Sequence, residues 1–292
     1  MVVMRIIRSA VLGTVLLASA CGTVATADVS SRDESASASS PAVEQSDALV
    51  LRVDSIGGFV PPTFTYSRLP TVSIYADGRM ITQGPQVTIY PAPALPNLLV
   101  RTLRQEGIER LIDEARRAGV GKRTDFGTPG VADATTTRFT LVDDGRTMTT
   151  EVYALGETRD EDTGLTAAQR QARQRMRDLL QTLTDSPAAG GPAGSDTRYE
   201  PTAMAAIVSE WAAGDVGTPP APRAWRGPAL PGQVVGPADV SCVTATGDAL
   251  QNVLADAASA NVETPWTYGG KRWSLSFRPL LPDETDCSSL GK

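Results

Sequence analysis

The sequence predicts an α+β fold, in which an antiparallel sheet built from β-hairpins carries about three amphipathic helices on one face. Two Asp-Gly turns between β-forming segments predict two hairpins, because this dipeptide is a strong short-range hairpin signal. Three other segments place apolar residues at the helical spacing i, i+3, i+4 and i+7. These segments begin near Gln105, Thr166 and Asp248.

The first part of the chain predicts a strand, a proline-rich connection and a hairpin. Residues 48–53 are rich in strand-forming side chains and end before two glycines. Residues 59–66 mix aromatic residues with prolines, which favours a rigid loop or a sheet edge because proline cannot donate within a ladder. Residues 72–83 form the first hairpin, with Asp77-Gly78 at its turn, and residues 86–90 are a candidate for a further strand.

Two hairpin-then-helix units follow one another. Residues 98–103 fit either a strand or the lead-in to a helix, and residues 105–118 are predicted as a helix that ends at a glycine. Residues 137–155 form a second hairpin around Asp144-Gly145, and a second helix covers residues 166–183 with capping-box spacing at its start. The repeated order is compatible with an internal duplication or with two independent uses of a common motif.

The last third of the sequence predicts a loop followed by a region that contains both strands and a helix. Residues 186–197 are rich in proline, glycine and alanine and mark a possible seam between domains. Residues 202–209 fit a buried strand or a short helix, and residues 218–237 are a proline-rich extended segment. The third predicted helix comes next. It is followed by a hairpin over residues 265–278, with Gly269-Gly270 at its turn.

Composition excludes several classes of function. The chain has no histidine, which removes Ser-His-Asp and Cys-His nucleophile systems and most zinc sites. Its net charge of −6 argues against nucleic acid as a partner, since such binding depends on neutralising phosphates. No motif for a cofactor, a metal ion or a catalytic nucleophile is present in the sequence, so we predict none of these sites.

The amino terminus has the pattern of an export signal. Arg5 and Arg8 precede a dozen apolar or small residues, a run too short to span a bilayer. The small residues before Cys21 resemble the lipobox of bacterial lipoproteins, although Ala18 stands where that family usually has leucine. The resemblance implies cleavage after residue 20, a lipid on Cys21 and membrane anchoring on the extracytoplasmic face. The alternative is an ordinary cleaved signal with a cysteine nearby.

The domain organisation follows from this anchor. Residues 1–20 are the signal peptide, and residues 21–46 are a lipidated amino terminus with a tether too polar to fold. Residues 47–292 form the globular α+β domain. The strong excess of arginine over lysine is typical of a high-GC genome, and the lipoproteins of actinobacteria are the expected relatives.

Three cysteines in an exported chain call for an explanation. If Cys21 carries lipid, Cys242 and Cys287 remain as a pair in an oxidising compartment, where a disulfide persists. We therefore predict a bridge between them, with two unpaired buried thiols as the alternative.

Two regions supply candidate partner-binding residues. Trp225 lies between Arg223 and Arg226 in the proline-rich segment, and Phe59, Phe64 and Tyr66 lie in the aromatic connection. Aromatic and arginine side chains of this kind anchor interfaces when exposed. The alternative is that they plug into their own domain.

Two acidic clusters are weaker candidates. One covers residues 157–162 and fits a cation site or a solvated loop; the other contains Asp283, Glu284 and Asp286 and fits a carboxylate pair or surface charge.

The function expected from these observations is non-enzymatic binding by a membrane-anchored exported lipoprotein. The expected partner is an envelope protein or a cell-wall component. Two alternatives stay open, a structural component of an envelope assembly and a carboxylate-dependent glycan hydrolase.

Overall fold

The computed structural model describes residues 46–157, 164–185, 196–212 and 220–291, which belong to one compact unit. The predicted signal peptide, Cys21 and nearly all of the predicted tether lie outside the described residues. The described strands form two sheets, each with at least one helix on a face, so the α+β class is confirmed.

The first sheet has seven antiparallel strands in the spatial order β6-β5-β1-β2-β3-β4-β7. Both predicted Asp-Gly hairpins belong to it, and β1 lies between them, paired with β2 on one side and β5 on the other. The strands are β1 Leu49–Gly57, β2 Val72–Tyr75, β3 Arg79–Gln83, β4 Leu98–Thr102, β5 Thr135–Asp143, β6 Arg146–Tyr153 and β7 Thr197–Arg198.

Two helices cover one face of this sheet. Helix α2, Gln105–Ala118, ends at Gly119, whose φ of 107° is a left-handed C-terminal cap. Helix α3, Ala167–Thr184, begins with the predicted capping box of Thr166 and Gln169. Their apolar stripes pack on the side chains that alternate along β1, β2 and β5, and this contact forms the larger hydrophobic core.

The second sheet has six strands in the order β10-β11-β8-β13-β12-β9, antiparallel except for the β9–β12 pair. Its central strand β8 is a continuous apolar run that is buried on both faces, which explains why the sequence lacks a clear strand alternation there. The strands are β8 Ala203–Glu210, β9 Arg223–Ala224, β10 Gln233–Val234, β11 Ser241–Thr246, β12 Trp266–Tyr268 and β13 Lys271–Pro279.

Different segments cover the two faces of the second sheet. Helix α4, Gly247–Ala257, packs on one face with two tryptophans. The other face packs against Tyr66 of the short helix α1, Pro62–Ser67, and against the chain end that follows β13, residues 280–291, called the tail below. The tail and α1 therefore lie on the side of this sheet that is turned away from α4.

A disulfide joins Cys242 of β11 to Cys287 of the tail, with an S–S distance of 2.00 Å, which confirms the predicted pair. Cys287 begins a 3₁₀ turn, Cys287–Ser289. The bridge therefore holds the tail against the second sheet.

Several local expectations are corrected. Residues 62–67 form α1 rather than an extended loop or edge, because proline is well tolerated in the first turn of a helix. Residues 86–90 form no strand, whereas residues 98–102 do. The strands divide into two sheets between β7 and β8, just after the predicted seam at 186–197. Strand β4 separates the first hairpin from α2, and an internal duplication remains a prediction.

Candidate functional site

A polar cavity with a volume of about 430 Å³ lies where β1, β5, α1 and the tail meet. Arg52 and Asp54 enter it from β1 because they alternate with Leu51 and Val53, which face the helices. Asp54 is paired across the strands with Arg138 of β5. The ionisable residues that line the cavity are Arg52, Asp54, Arg68, Arg138, Arg278, Asp283 and Glu284.

One network ties the first sheet to the tail. The Arg52 guanidinium donates to Asp283 Oδ1 at 2.6 Å, to Ser73 Oγ at 3.0 Å and to Tyr75 Oη at 3.1 Å. Tyr75 Oη donates to the same carboxylate oxygen at 2.8 Å. Burial raises the pKa of Tyr75, and the negative charge of Asp283 raises it further, so the hydroxyl stays a donor.

A second, buried pair fixes the tail to β13. Arg278 binds Glu284 with two parallel hydrogen bonds of 2.5 and 2.7 Å, and the two side chains are only 5% and 6% exposed. Arg278 Nε also donates to the backbone oxygen of Arg68 at 3.1 Å. Glu284 accepts a further bond from the amide of Leu281 at 2.8 Å. These bonds fix the position of the tail and of Arg68, the residue that follows α1.

Arg68 differs from the other arginines of the cavity because its hydrogen bonds go only to the backbone. Its guanidinium donates to the carbonyl oxygens of Ser55 at 2.6 Å and Gly57 at 3.1 Å, and it lies 4.9 Å from the centre of the Phe64 ring. No carboxylate of the described residues lies within ion-pair distance of it. Burial lowers the pKa of Arg68, which indicates a cation that loses hydration without gaining an acidic neighbour.

Asp54 is the carboxyl group of the cavity with the weakest ion pair. Its Oδ2 lies 3.7 Å from Arg138 Nε, beyond normal hydrogen-bond length. Burial raises the pKa of Asp54, and the charges of Arg52 and Arg138 offset this only in part. Asp54 therefore takes up a proton more readily than an exposed aspartate.

Tyr66 stands in a slot between two glycines. A Cβ at Gly236 would lie 2.5 Å from the Tyr66 ring, and one at Gly291 would lie 2.6 Å from it. The ring therefore occupies the space that any side chain at these positions would need. Tyr66 and Gly291 both line the cavity, so the packing of Tyr66 between the two glycines forms part of the cavity wall.

Of the three residues proposed from the aromatic connection, Tyr66 and Phe64 lie at this site. Tyr66 lines the cavity and Phe64 lies over the arginine at its wall, with 46% of the Phe64 side chain exposed. Phe59 is 89% exposed and its amide donates to the carbonyl of Asp133. The connection therefore places Tyr66 in the wall of the cavity and the partly exposed Phe64 beside Arg68.

The group around Trp225 requires a correction. Trp225 is only 6% exposed, because it packs against Trp266 and Phe277 in the core of the second sheet. Arg223 donates to carbonyl oxygens at the end of α4, and Arg226 forms an ion pair with Asp256. The structure therefore assigns Trp225 and its two neighbours to packing and ion pairing within the domain.

Only some residues of the two predicted acidic clusters lie at the cavity. Asp283 and Glu284 line the cavity, whereas the Asp286 side chain accepts a bond from Ser288 at the start of the 3₁₀ turn. Glu157 accepts from Thr135, and residues 158–163 lie outside the described residues. Within the described ranges, no group of three or more cysteine, aspartate or glutamate residues is placed to hold a metal ion.

Sequence reasoning missed the arginines of the cavity. Arg52 carries a signal, since a charged residue between buried Leu51 and Val53 marks a strand face that is not simply apolar. Arg68 and Arg278 carry none, because their partners lie far away in sequence.

Comparison of the chain with protein-family models, curated proteins and solved structures finds no match. Among the helices in the described part of the chain, none is long and apolar enough to span a bilayer.

Proposed function

We propose that the chain is an exported lipoprotein that holds a non-enzymatic binding domain on the extracytoplasmic side of the membrane. The lipobox-like pattern at Cys21 supports the anchor, and the disulfide in the folded domain fits an oxidising compartment. The expected ligand belongs to the cell envelope.

The observation that carries the binding role is the cavity between β1, α1 and the tail. Its volume of about 430 Å³ lies in the range of small-molecule sites. Its polar groups converge from segments far apart in the chain, and the tail that forms one wall is fixed by an ion pair and a disulfide. A preformed cavity of this kind keeps low the ordering cost of binding.

The anchor is tested by membrane fractionation. The wild-type protein should enter the membrane fraction and carry an acylated amino terminus by mass spectrometry, and Cys21→Ala should appear unacylated in the soluble extracytoplasmic fraction. Cys287→Ala, which removes a cysteine of the folded domain, is the control and should remain acylated. Equal acylation of wild type and Cys21→Ala would contradict the proposed anchor.

Ligand capture is tested with a photo-reactive side chain in intact cells. Phe59 is the best position, because it is 89% exposed and lies on the connection that leads into α1. The matched control places the same group at Tyr268, an exposed aromatic residue on the second sheet. A specific adduct at Phe59 that is absent at Tyr268 supports the binding role. Equal labelling at both positions would count against it.

The glycan hydrolase remains a second candidate because three carboxyl groups line one cavity. Asp54, with its raised pKa, would be the acid. Asp283 and Glu284 are each already bound by an arginine, so a water molecule would have to compete with that arginine for the carboxylate. Hydrolysis of cell-wall glycan by the purified protein, abolished in Asp54→Asn, would favour this candidate. Wild-type activity in that variant would exclude Asp54 as its acid.

A further inference from the structure

We infer that the cavity binds the oxyanion of a small molecule, a carboxylate or a phosphate, and that Arg68 is the residue that holds it. This inference rests on the proposed binding function and adds the chemical class of the ligand.

The first argument is the pairing of charges. Each carboxylate that lines the cavity faces one arginine: Asp283 faces Arg52, Glu284 faces Arg278, and Asp54 faces Arg138. Arg68 is the fourth guanidinium of the cavity, and its two hydrogen bonds go to backbone carbonyls. A cation that loses part of its hydration without gaining an acidic partner is destabilised, and a bound anion would offset that cost.

The second argument is the number of free donors. A guanidinium has five N–H groups in a planar fork that matches a carboxylate or a phosphate. Arg68 uses two of them for Ser55 and Gly57, which fix its orientation. The remaining N–H groups form no hydrogen bond with the described residues, although Arg68 lines the cavity. A ligand oxyanion can accept from these groups without breaking any protein contact.

The third argument is the rest of the lining. Thr65 and Ser289 supply hydroxyl groups, while Ile56, Leu69 and Leu290 supply apolar surface. The volume of about 430 Å³ is larger than an isolated carboxylate or phosphate needs. The ligand therefore carries its anionic group on a larger body that is partly apolar.

The test uses the full chain with Cys21→Ala, purified without lipid, so that it does not depend on anchoring. Inorganic phosphate and acetate serve as separate probes in calorimetric titrations, with sodium chloride at matched ionic strength as the reference. Saturable binding of one or both probes, with dissociation constants on the order of millimolar, is expected for such minimal fragments. Tighter binding of phosphate than of acetate indicates a phosphorylated ligand, and tighter binding of acetate indicates a carboxylate ligand.

Variants locate the binding. Arg68→Gln should lower the affinity for the more tightly bound probe by about tenfold or more, because charge-assisted hydrogen bonds are lost. Arg226→Gln is the matched control, since it removes an exposed, ion-paired arginine outside the cavity, and it should change affinity less than about twofold. Asp54→Asn should tighten binding at pH values where Asp54 is ionised and should weaken it at none, because asparagine cannot carry the negative charge that ionised Asp54 brings to the same cavity.

Three results would overturn the inference. The first is no saturable binding of either probe beyond the chloride reference. The second is equal affinity in Arg68→Gln and wild type. The third is weaker anion binding in Asp54→Asn, which also tests the inference if Arg68→Gln does not fold. Any of these would leave membrane anchoring and photo-capture at Phe59 intact, so the failure of the inference can be told from the failure of the proposed function.

Discussion

Replacement of Trp225 by alanine should destabilise the domain strongly. The Trp225 ring centroid lies 5.9 Å from that of Trp266 and 6.3 Å from that of Phe277, and its Nε1 donates to the carbonyl of Pro228. Truncating a buried tryptophan to alanine typically costs about 3–5 kcal/mol. The lost aromatic pairs and hydrogen bond place this site toward the upper part of that range.

Thermal and urea denaturation, followed by circular dichroism, measures this loss. For a domain of this size, each kcal/mol corresponds to about 2–4 °C, so the midpoint should fall by roughly 6–20 °C. Trp211→Ala is the matched control, because Trp211 is only partly buried and has Arg272 over its ring at 5.4 Å. Its cost should stay near 1 kcal/mol or below. A Trp225→Ala variant that melts with the wild type would refute the reasoning and return Trp225 to the exposed candidates.

Three further predictions concern the walls of the cavity and its acid. Cys287→Ala opens the 45-residue disulfide loop and should lower the free energy of unfolding by about 4 kcal/mol in chemical denaturation. Gly236→Ala places a methyl group against the Tyr66 ring and should cost about 1–3 kcal/mol by the same measurement. Asp54→Asn should gain stability relative to wild type as the pH rises, measured by urea titrations from acidic to neutral pH.

The sign of the last prediction follows from burial. The pKa of Asp54 is higher in the folded chain than in the unfolded chain, where it is about 3.9. Its contribution to stability is therefore fully present below that unfolded value and is lost as the pH rises through the folded value. The nearby charges of Arg52, Arg138 and Arg278 limit the effect, and Glu284 increases it. A difference between wild type and Asp54→Asn that is independent of pH would contradict the assignment.

Controls distinguish the effects of Gly236→Ala and Cys287→Ala from a general loss of stability. Gly156→Ala adds the same methyl group where no atom lies within 4 Å and should change stability little. Peptide mapping without reducing agent should recover Cys242 joined to Cys287. Free, alkylatable thiols at both positions would contradict the bridge. A Gly236→Ala variant as stable as Gly156→Ala would show that the Tyr66 slot yields freely.

The elements that the sequence predicts well are those with local signals. The Asp77-Gly78 and Asp144-Gly145 turns, helix α2 and the Thr166 capping box all depend on residues within one turn or one hairpin of each other. The division into two sheets has no such signal. It depends on which strands pair, and β8 is an uninterrupted apolar run that fits a buried helix as well as a buried strand.

The candidate site shows the same limit. Tyr66 and Phe64 stand out in the sequence as aromatic residues among prolines, and the structure places both at or near the cavity. Trp225 stands out equally and is buried, because composition does not reveal whether a neighbouring core has room for a ring. The arginines were missed because their roles depend on backbone oxygens and carboxylates that only the folded chain brings near.

The distance in sequence between the two sides of the cavity bears on the order of folding. Arg52 meets Asp283 across 231 positions, and Arg278 reaches the backbone of Arg68 across 210. Contacts with such separation require the largest loop closures and tend to form late. We expect both sheets to reach their native pairing before the tail docks. Pulsed hydrogen exchange during refolding would show this order as later protection of Leu281 than of Phe139. A chain at that intermediate stage would be compact and still unable to bind, so acquisition of binding would mark the end of folding.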